Sequence, residues 1–538
     1  MLGKRLGGAI PIAIYAVHAT MFGQWLVDDG MISMAYARTF AETGILTQQP
    51  GVVPVEAVSN PTWTFLWAGL VKLHLADAGW DLFGIPDYVV ATRALGLLFF
   101  VATLWALGAF LRAVAPERWR VGAAIAGTIL AVSPPFVIWS VAGLENPIYG
   151  LCIAGLLAWI ARASIQDRIA APAVAVGATI IAFLAAATRP DGLIYLGVLP
   201  LVVLILNWRK PALVARSWLV SVLTFGVLAA PALYLRWTTY HALLANTAVA
   251  KPLGFDRKEL LSRLLDLFVM GGWVLPLAVI AALVVWFRTS RTPGQRGVWA
   301  TSLVMLVCGA FVYVILPNDW MGEYRFATPV FVTAAAVLGA VYVTVAWRRK
   351  QVIAGCLLVV IAATMLPRSL AFATHATYPG CYVADRYGRL YNSYVNMLAL
   401  KDPVVMLPDV GGSLMTADFR IVDLAGLADK QVARLKVTYA DWGPHLIDYV
   451  VDEAKPDLIA FGWPWDPGFE KSDRFMAAYI AFGSPGTREY VRRDKVSSEQ
   501  MLLDLKALAA RVEPQIEARW KANRLASCGP LVRGEMAR

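Results

Sequence analysis

The chain alternates long apolar runs with short polar segments up to about residue 367, where the apolar runs stop. An apolar run of about 20 residues is long enough to cross a bilayer as a helix. The pattern therefore predicts an α-helical polytopic membrane protein over residues 1–367, with about eleven transmembrane helices. The predicted spans are 6–27, 89–111, 121–139, 147–161, 171–187, 192–206, 217–235, 269–287, 298–316, 326–346 and 351–367.

The remaining residues, 368–538, have the size of one soluble domain. Short β-like runs and helical patterns alternate in this region, which predicts an α/β fold. The turn Asp409-Val410-Gly411-Gly412 is similar to a phosphate-cradling loop, but a lone pair of glycines is a weak signal, so we interpret it as a structural turn. The β-like runs are 404–407, 419–424 and 457–461, and the clearest helical pattern is 499–522.

Composition agrees with a membrane protein, since 58% of the 538 residues are hydrophobic and 16% are charged, against roughly 25% charged in soluble proteins. The net charge of +11 does not indicate a nucleic-acid partner, because no basic patch with interleaved aromatic residues is present. Basic residues lie instead at the N-terminus and in the loops after every second apolar run, where sixteen of them accompany two acidic residues. The positive-inside rule makes these segments cytoplasmic and places residues 368–538 outside.

The first outer loop, residues 28–87, is long and begins with two adjacent carboxylates, Asp28 and Asp29. An ionised Asp beside hydrocarbon is costly, so this pair is either solvated at the interface or compensated by a cation or a reacting proton. The same loop contains Ser59-Asn60-Pro61, a helix-start signal, followed by an apolar and aromatic stretch to Ala76. A twelfth span here would place the later basic loops outside, so we expect an interfacial helix.

Most of the other outer loops are short and carry acids, arginines and aromatic residues, as a site at one membrane face would. Structural roles compete with a functional role at every position: a solvated loop acid, a helix N-cap, interfacial lining by aromatic residues or snorkelling arginines. The candidates are Glu145, Arg189, Asp191, His241, Asp319, Trp320, Glu323, Tyr324 and Arg325.

The five cysteines form no CxxC or metal-like spacing. Cys152, Cys308 and Cys356 lie within apolar runs, where packing is their expected role. Cys381 and Cys528 bracket the soluble region, and on an extracytoplasmic face this pair can form a disulfide.

An acidic pair at a helix end, a long first outer loop and an outward soluble domain together resemble the GT-C superfamily of membrane glycosyltransferases. The finer resemblance is to the terminal β-1,2-arabinofuranosyltransferases known from mycobacteria. Each motif is short, but their order and their common side of the membrane extend through most of the chain. The similar stretches are Asp-Asp-Gly-Met-Ile-Ser-Met-Ala-Tyr-Ala-Arg (28–38), Ser-Asn-Pro-Thr-Trp-Thr (59–64), Gly-Leu-Glu-Asn-Pro (143–147), Thr-Arg-Pro-Asp-Gly (188–192), Asp-Trp-Met-Gly-Glu-Tyr-Arg-Phe (319–326), Pro-Asp-Val-Gly (408–411) and Asp-Leu-Ala-Gly-Leu (423–427).

The resemblance implies transfer of a sugar, expected to be arabinofuranose, from a polyprenyl-phosphate donor to a cell-envelope glycan such as arabinan. It assigns the base that deprotonates the acceptor hydroxyl to the first outer loop, where Asp29 is our first choice and Asp28 the second. Arg189 and Arg325 suit the donor phosphate, because a guanidinium donates two parallel hydrogen bonds. The expected substrate-binding residues are Asp191, His241, Asp319, Trp320, Glu323 and Tyr324.

A divalent cation is a further expectation, with Asp28, Asp29 and Glu145 as its ligands. The candidates are carboxylates, which suit Mg²⁺, Mn²⁺ or Ca²⁺. The enzyme is expected in a bacterial plasma membrane, with the site and the C-terminal domain outside.

Three alternatives stay open at this point. A GT-C transferase can use another sugar, such as mannose, or a glycolipid or protein acceptor. A lipid or polysaccharide transporter is disfavoured because its ionisable groups would lie at mid-membrane, whereas here the acids lie at one face. A non-catalytic scaffold of the same shape is the third alternative.

Overall fold

The computed structural model describes residues 2–250, 257–317, 319–346, 349–462 and 464–537. The α-helices are α1 (Leu2–Thr20), α2 (Asp28–Thr43), α3 (Pro61–Lys72), α4 (Asp87–Val114), α5 (Trp119–Val132), α6 (Pro134–Val141), α7 (Asn146–Ile165), α8 (Pro172–Thr188), α9 (Val198–Asn207), α10 (Pro211–Tyr240), α11 (Asn246–Ala250), α12 (Arg257–Val269), α13 (Val274–Thr289), α14 (Pro293–Ile315), α15 (Thr328–Thr344), α16 (Lys350–Thr374), α17 (Gly380–Val383), α18 (Leu390–Met397), α19 (Gly411–Thr416), α20 (Lys430–Thr438), α21 (Trp442–Asp448), α22 (Asp473–Ala478) and α23 (Glu499–Ala522).

The strands are β1 (Asp81–Leu82), β2 (Ile85–Pro86), β3 (Val404–Leu407), β4 (Arg420–Asp423), β5 (Leu458–Ala460), β6 (Tyr479–Ala481) and β7 (Glu489–Arg492). Short 3₁₀ helices cover Pro190–Gly197, Arg325–Ala327, Phe469–Lys471 and Arg493–Lys495. Two π-helical segments cover Ala384–Arg389 and Tyr449–Ala454.

The chain is a multi-pass membrane protein. Within the described residues, seven helices are long and apolar enough to cross a membrane, and two bent pairs raise that number to nine. The bent pairs are α5 with α6, at 73°, and Lys258–Val269 of α12 with α13, at 79°. Two shorter apolar helices, Gly8–Thr20 and Pro172–Thr188, coincide with the first and fifth predicted runs. Every predicted run thus falls on a helix, although fewer than eleven helices qualify as spans.

The bends between helices follow from local sequence. Pro134 and Pro135 follow Ser133, and a proline removes a helix hydrogen bond and clashes with the preceding turn, so α5 ends and α6 begins there. Gly272 and Trp273 lie between α12 and α13 with φ of +66° and +61°, a left-handed backbone that no α-helix continues through.

Glycines allow close helix packing in the membrane unit. A Cβ on Gly122 of α5 would lie 3.1 Å from the carbonyl oxygen of Gly339 in α15, and a Cβ on Gly339 would lie 2.8 Å from that of Gly122. Small residues at a helix crossing let the backbones approach, which is the usual device where lipid removes the hydrophobic driving force.

The chain divides into two compact units, each built from several segments. The first contains most of the apolar helices, and the second contains the segment predicted as the first outer loop and the C-terminal region. The first unit is Met1–Gly23, Thr92–Leu235 and Leu253–Thr377, and the second is Gln24–Ala91, Arg236–Pro252 and Tyr378–Arg538. The predicted boundary between residues 367 and 368 stays a prediction.

The second unit contains a mixed five-stranded sheet in the order β4-β3-β5-β7-β6. The three strands β4, β3 and β5 run parallel, and β7 and β6 add two antiparallel strands at one edge. The three predicted β-like runs and the predicted helix at 499–522 are confirmed by β3, β4, β5 and α23. The strands β6 and β7 were not predicted; both are short, and β7 lies in charged sequence.

Aliphatic and aromatic side chains from the sheet and the helices on it form the core of the second unit. Its members include Met406, Val422, Ile459, Phe461 and Phe475. Alternate residues of each strand face this core, as the pleat requires.

The predicted helix of the first loop begins with Asn60 as its N-cap and Pro61 as its first residue. This helix, α3, has 12 residues and is therefore shorter than the roughly 20 needed to span a bilayer. Its interfacial position stays a prediction. Cys381 and Cys528, which the sequence left as a possible pair, are joined by a disulfide with a sequence separation of 147.

A buried ionic network fixes α23 and the π-helical segment to the sheet. Arg386 lies 2.6 Å from Oε1 of Glu489 in β7 and 3.6 Å from Oε2 of Glu513 in α23. Tyr391 donates to Glu489 at 2.8 Å, and Tyr394 donates to Glu513 at 3.0 Å. Burial raises the pKa of Glu489 to about 8, whereas the hydrogen bond with Glu489 and the charge of Arg386 lower the pKa of Glu513 despite its burial.

The network predicts a pH-dependent stability. Glu489 keeps its proton up to about pH 8 in the folded protein and loses it near pH 4.3 when unfolded. The stability contribution is therefore full below the unfolded pKa and is lost as pH rises from there through about 8, by on the order of 5 kcal/mol in all. Glu489→Gln imitates the protonated acid, so its apparent Tm is expected to change less than the wild type's between pH 6 and pH 8.5.

The measurement is thermal unfolding of the full chain in detergent, followed by tryptophan fluorescence. Glu453→Gln is the control, because Glu453 is exposed in the same unit. Equal pH dependence in Glu489→Gln and Glu453→Gln would contradict the assignment of the proton to Glu489.

Candidate active site

Asp28 and Asp29 are the first two residues of α2, but their surroundings differ. Asp28 is 6% exposed, whereas Asp29 is partly exposed. The carboxylate of Asp28 accepts a hydrogen bond from the backbone N–H of Gly411 at 3.0 Å and from that of Gly412 at 2.7 Å. These amides begin α19, where helix N–H groups lack partners within the helix. Both oxygens of Asp28 are therefore used by the second unit's own backbone.

Two further carboxylates, Asp29 and Asp409, act on Asp28, and a third, Asp423, acts on Asp409. Burial raises the pKa of Asp28 above its usual range, the neighbouring charges of Asp409 and Asp29 add to the shift, and the two amides oppose it. Burial also raises the pKa of Asp409 to about 6, with Asp423 and Asp29 contributing. The pKa of Asp423 rises to about 6 for the same first reason. Asp409 follows β3 and Asp423 is the last residue of β4, and these two strands are parallel. These acids therefore lie at the carboxyl edge of β3 and β4.

The helix that carries the acidic pair is anchored along its length. Arg38 of α2 pairs with Asp77 and donates to the carbonyl oxygens of Met415 at 2.6 Å and Leu531 at 2.9 Å. Arg38 is only 6% exposed, so its ion pair and hydrogen bonds hold α2 in place.

His241, the other predicted residue of this unit, is exposed just after α10. Its neighbours Tyr240 and Ala242 line a cavity of about 210 Å³ with Lys430 and Arg434. This cavity lies within the second unit, and His241 is adjacent to it in sequence only.

In the first unit, Arg189 is held between two acids. Its Nη1 lies 2.9 Å from Glu145 and its Nε lies 3.0 Å from Asp191, with all three side chains about 5% exposed. Tyr149 donates to the other oxygen of Asp191 at 3.1 Å, and the guanidinium lies 4.9 Å from the ring centroid of Phe326. The predicted residues Glu145, Arg189 and Asp191 are thus brought together as an ion-pair triad.

The loop before α15 opens on a polar cavity of about 260 Å³ in the same unit. Three arginines, three acids and two tyrosines line it, which is a dense set of hydrogen-bonding groups for a membrane protein. The lining residues are Arg263, Asp266, Tyr313, Asp319, Gly322, Glu323, Tyr324, Arg325, Phe326 and Arg368.

Several polar atoms of this cavity lack a hydrogen bond from any residue that the structure describes. Arg263 is 4% exposed, and its Nε and Nη2 have no hydrogen-bond partner among the described residues. The same holds for Oδ2 of Asp319 and Oε2 of Glu323, whose nearest cations are Arg325 at 3.6 Å and Arg368 at 3.9 Å. Buried polar atoms without partners are uncommon and call for an explanation such as a ligand.

The cavity wall also contains unusual backbone. Gly322, Glu323 and Tyr324 have φ of +72°, +44° and +51°, respectively, and left-handed backbone costs energy for the two residues with a Cβ. The carbonyl oxygen of Glu323 accepts from the indole N–H of Trp139 at 2.8 Å, which helps to hold this conformation. Burial raises the pKa of Glu323, and the charge of Arg368 opposes the shift.

The structure therefore divides the predicted residues into groups. The cavity contains Asp319, Glu323, Tyr324 and Arg325, whereas Trp320 between them is 58% exposed and does not line it.

Sequence reasoning missed Arg263, Asp266, Tyr313 and Arg368. Arg368 was placed at the start of the soluble region because the apolar run ends at 367, yet α16 continues to Thr374. The charges of 258–266 were a signal for α12, since they recur at helical spacing beside an apolar run.

The predicted cation ligands lie in both units, with Asp28 and Asp29 in the second and Glu145 in the first. Asp28 accepts hydrogen bonds from two backbone amides, and Glu145 accepts one from Arg189. Across the described ranges, no group of three or more His, Cys, Asp or Glu side chains is arranged to hold a metal ion. The set of Asp28, Asp29 and Glu145 and the cation itself both stay predictions.

Solved structures share this fold. ArnT from Cupriavidus metallidurans bound to undecaprenyl phosphate aligns with a TM-score of 0.55 and 13% identity over 92% of this chain and 98% of that chain. Its apo form gives 0.54 and 14% identity over 90% and 97%. The Archaeoglobus fulgidus oligosaccharyltransferase tethered with an acceptor peptide gives 0.50 and 12% identity over 90% and 74%. No protein-family model and no curated protein matches the chain. At such identities the likeness establishes a GT-C-like fold.

The triad predicts that Arg189 is a stability residue. Arg189→Gln leaves Glu145 and Asp191 buried without their cation, which costs about 3–5 kcal/mol. We expect a clear fall in apparent Tm, measured by thermal unfolding in detergent, and a partial recovery in the double variant Glu145→Gln/Arg189→Gln. Arg162→Gln, at an exposed arginine of α7, is the control. A Tm of Arg189→Gln equal to that of Arg162→Gln would refute the prediction.

Proposed function

We propose that this protein is a membrane glycosyltransferase that moves a sugar from a polyprenyl-phosphate donor to a cell-envelope glycan. The observation that carries this proposal is the polar cavity before α15. It combines three arginines, which suit a phosphate, with acids and tyrosines, which suit sugar hydroxyls. The shared GT-C-like fold supports the same class of donor, because ArnT is bound to undecaprenyl phosphate in its structure.

The transfer needs a base for the acceptor. A hydroxyl oxygen of the acceptor attacks the anomeric carbon, the bond from that carbon to the phosphate oxygen breaks, and the hydroxyl proton passes to a carboxylate. We assign this base to Asp29. Both carboxylate oxygens of its neighbour Asp28 accept hydrogen bonds from the amides of Gly411 and Gly412, so their lone pairs are less available to a substrate.

The leaving phosphate gains negative charge in the transition state, and fixed cations stabilise it. We assign that role to Arg325 together with Arg263 and Arg368, which line the cavity with it. Arg189 also stays a proposed phosphate ligand, but its neutralisation by Glu145 and Asp191 favours a structural role. Asp319, Glu323 and Tyr324 are the proposed sugar ligands, with Asp191, Trp320 and His241 as further candidates.

The finer identity rests on the motif resemblance. We propose arabinofuranose as the sugar, an arabinan-like acceptor, and eleven spans in a bacterial plasma membrane with the site outside. The disulfide between Cys381 and Cys528 supports an oxidising, extracytoplasmic location for the C-terminal region. Mannose and glycolipid or protein acceptors are the alternatives that the assay must include.

A divalent cation would supply Lewis-acid stabilisation of the leaving phosphate if one binds. No step above depends on it.

The base assignment predicts that Asp29→Asn reduces transfer at least about 100-fold, since a missing general base typically costs that much or more. The assay follows transfer from polyprenyl-phosphoryl-arabinofuranose to an arabinan-like acceptor by the purified protein. The same assay with a chelator tests the cation.

Asp81→Asn is the matched control for this variant, because Asp81 is an exposed residue of the same loop. Near-wild-type transfer by a folded Asp29→Asn protein would remove Asp29 from the mechanism. Transfer of mannose but not arabinofuranose by the wild type would change the sugar and keep the chemistry.

The cavity assignment predicts that Arg263→Gln weakens the binding of undecaprenyl phosphate. Loss of one charge-assisted contact is expected to raise the Kd about 10-fold, measured by native mass spectrometry or by the thermal shift on lipid addition. Arg288→Gln, at an exposed arginine of α13, is the control. Unchanged affinity in both Arg263→Gln and Arg325→Gln would exclude this cavity as the phosphate site.

A further inference from the structure

We propose that the Gly411–Gly412 turn of the C-terminal region is a positioning device for the first-loop carboxylates, acting through Asp28. This inference rests on the proposed function, in which Asp29 is the base. Asp28 is then a positioning residue whose carboxylate is bound by protein amides, and Asp29 is presented by the same helix end.

The two hydrogen bonds belong to a wider junction at the start of α2. Just before Asp28, Val27 pairs with Pro379 as an isolated antiparallel bridge, and the N–H of Gly380 donates to the carbonyl oxygen of Leu26 at 3.0 Å. A Cβ on Gly380 would lie 2.6 Å from the sulfur of Met31. Backbone of residues 379–412 thus contacts residues 26–31 on two sides.

Both glycines of the turn are required by close approach rather than by an unusual φ. A Cβ on Gly411 would collide with the carbonyl oxygen of Asp28 and lie 2.5 Å from its Oδ1. A Cβ on Gly412 would collide with the carbonyl oxygen of Gly380 and the N–H of Ala384. A side chain at either position must therefore push α2 or α17 away from the turn.

The turn thereby restricts both the direction of α2 and its distance from the turn. Two charge-assisted bonds to one carboxylate fix its plane as well as its position. Adjacent residues of a helix point about 100° apart, so fixing Asp28 also fixes the direction in which Asp29 leaves the helix. A small displacement of a reacting group can lower a rate about 100-fold.

The test is a double-mutant cycle on the full-length protein, with polyprenyl-phosphoryl-arabinofuranose as donor. Asp28→Asn and Gly411→Ala are each expected to lower kcat by about 10- to 100-fold, with the KM for the donor changed by no more than about twofold. Because both variants break one junction, the double variant is expected to be no more than about twofold worse than the more severe single variant.

Gly462→Ala is the matched control. It makes the same substitution in the same unit, just after β5, where an added Cβ would meet nothing within 4 Å. Gly462→Ala is expected to keep the wild-type kcat, and Asp28→Asn/Gly462→Ala is expected to equal Asp28→Asn. Losses that multiply in Asp28→Asn/Gly411→Ala, or a kcat of Gly411→Ala equal to that of Gly462→Ala, would overturn the proposal.

A second readout does not depend on turnover. Hydrogen exchange by mass spectrometry is expected to be faster at residues 411–412 and 29–32 in Asp28→Asn than in Gly462→Ala. If the wild type transfers no sugar from any donor, the proposed function fails, and exchange alone then judges the positioning role. Unchanged exchange in Asp28→Asn would overturn that role whether or not the protein is active. The same exchange measurement tests the proposal if Gly411→Ala does not fold.

Discussion

The cost of removing charge from water governs the arrangement of the ionised side chains in this protein. A buried charge is tolerated only when other groups of the protein replace its hydration. Arg189 is held between two carboxylates, Asp28 is held by two amides, and Arg386 is held by Glu489 and Glu513. Each arrangement also fixes a helix end or a strand, so the same bonds that neutralise the charge set the geometry of its surroundings.

The polar cavity before α15 departs from this rule, and the departure is informative. Arg263 is as buried as Arg189, yet two of its nitrogen atoms have no hydrogen-bond partner among the described residues. Asp319 and Glu323 face cations at 3.6 Å and 3.9 Å, too far for a direct hydrogen bond. Groups that the protein leaves unsatisfied can bind water or a ligand, whereas the ion pairs of Arg189 favour a structural role for it. This contrast separates the candidate binding residues from the structural ones better than their sequence motifs do.

Much of the fold followed from the periodicity of the sequence, because burial in lipid or in a sheet imposes a hydrophobic pattern. The strands β3, β4 and β5 and the helix Glu499–Ala522 lie where that pattern predicts them. The pattern gives no information on pairing over long distances. It did not reveal that Asp28 bonds to Gly411, a residue 383 positions away, or that Arg263, Arg325 and Arg368 line one cavity. Of the eleven predicted spans, seven to nine are long and apolar enough among the described residues, and the others stay predictions.

The glycine pair after β3 shows why such a motif is ambiguous. Its amides do bind an anion, as a phosphate-cradling loop would, but the anion is the side chain of Asp28. A phosphate could use these amides only by displacing Asp28, which would leave a carboxylate buried beside Asp409 without its donors. That exchange exposes the carboxylate to the desolvation penalty that the amides now offset. The turn is therefore satisfied from within the protein, by the side chain of Asp28.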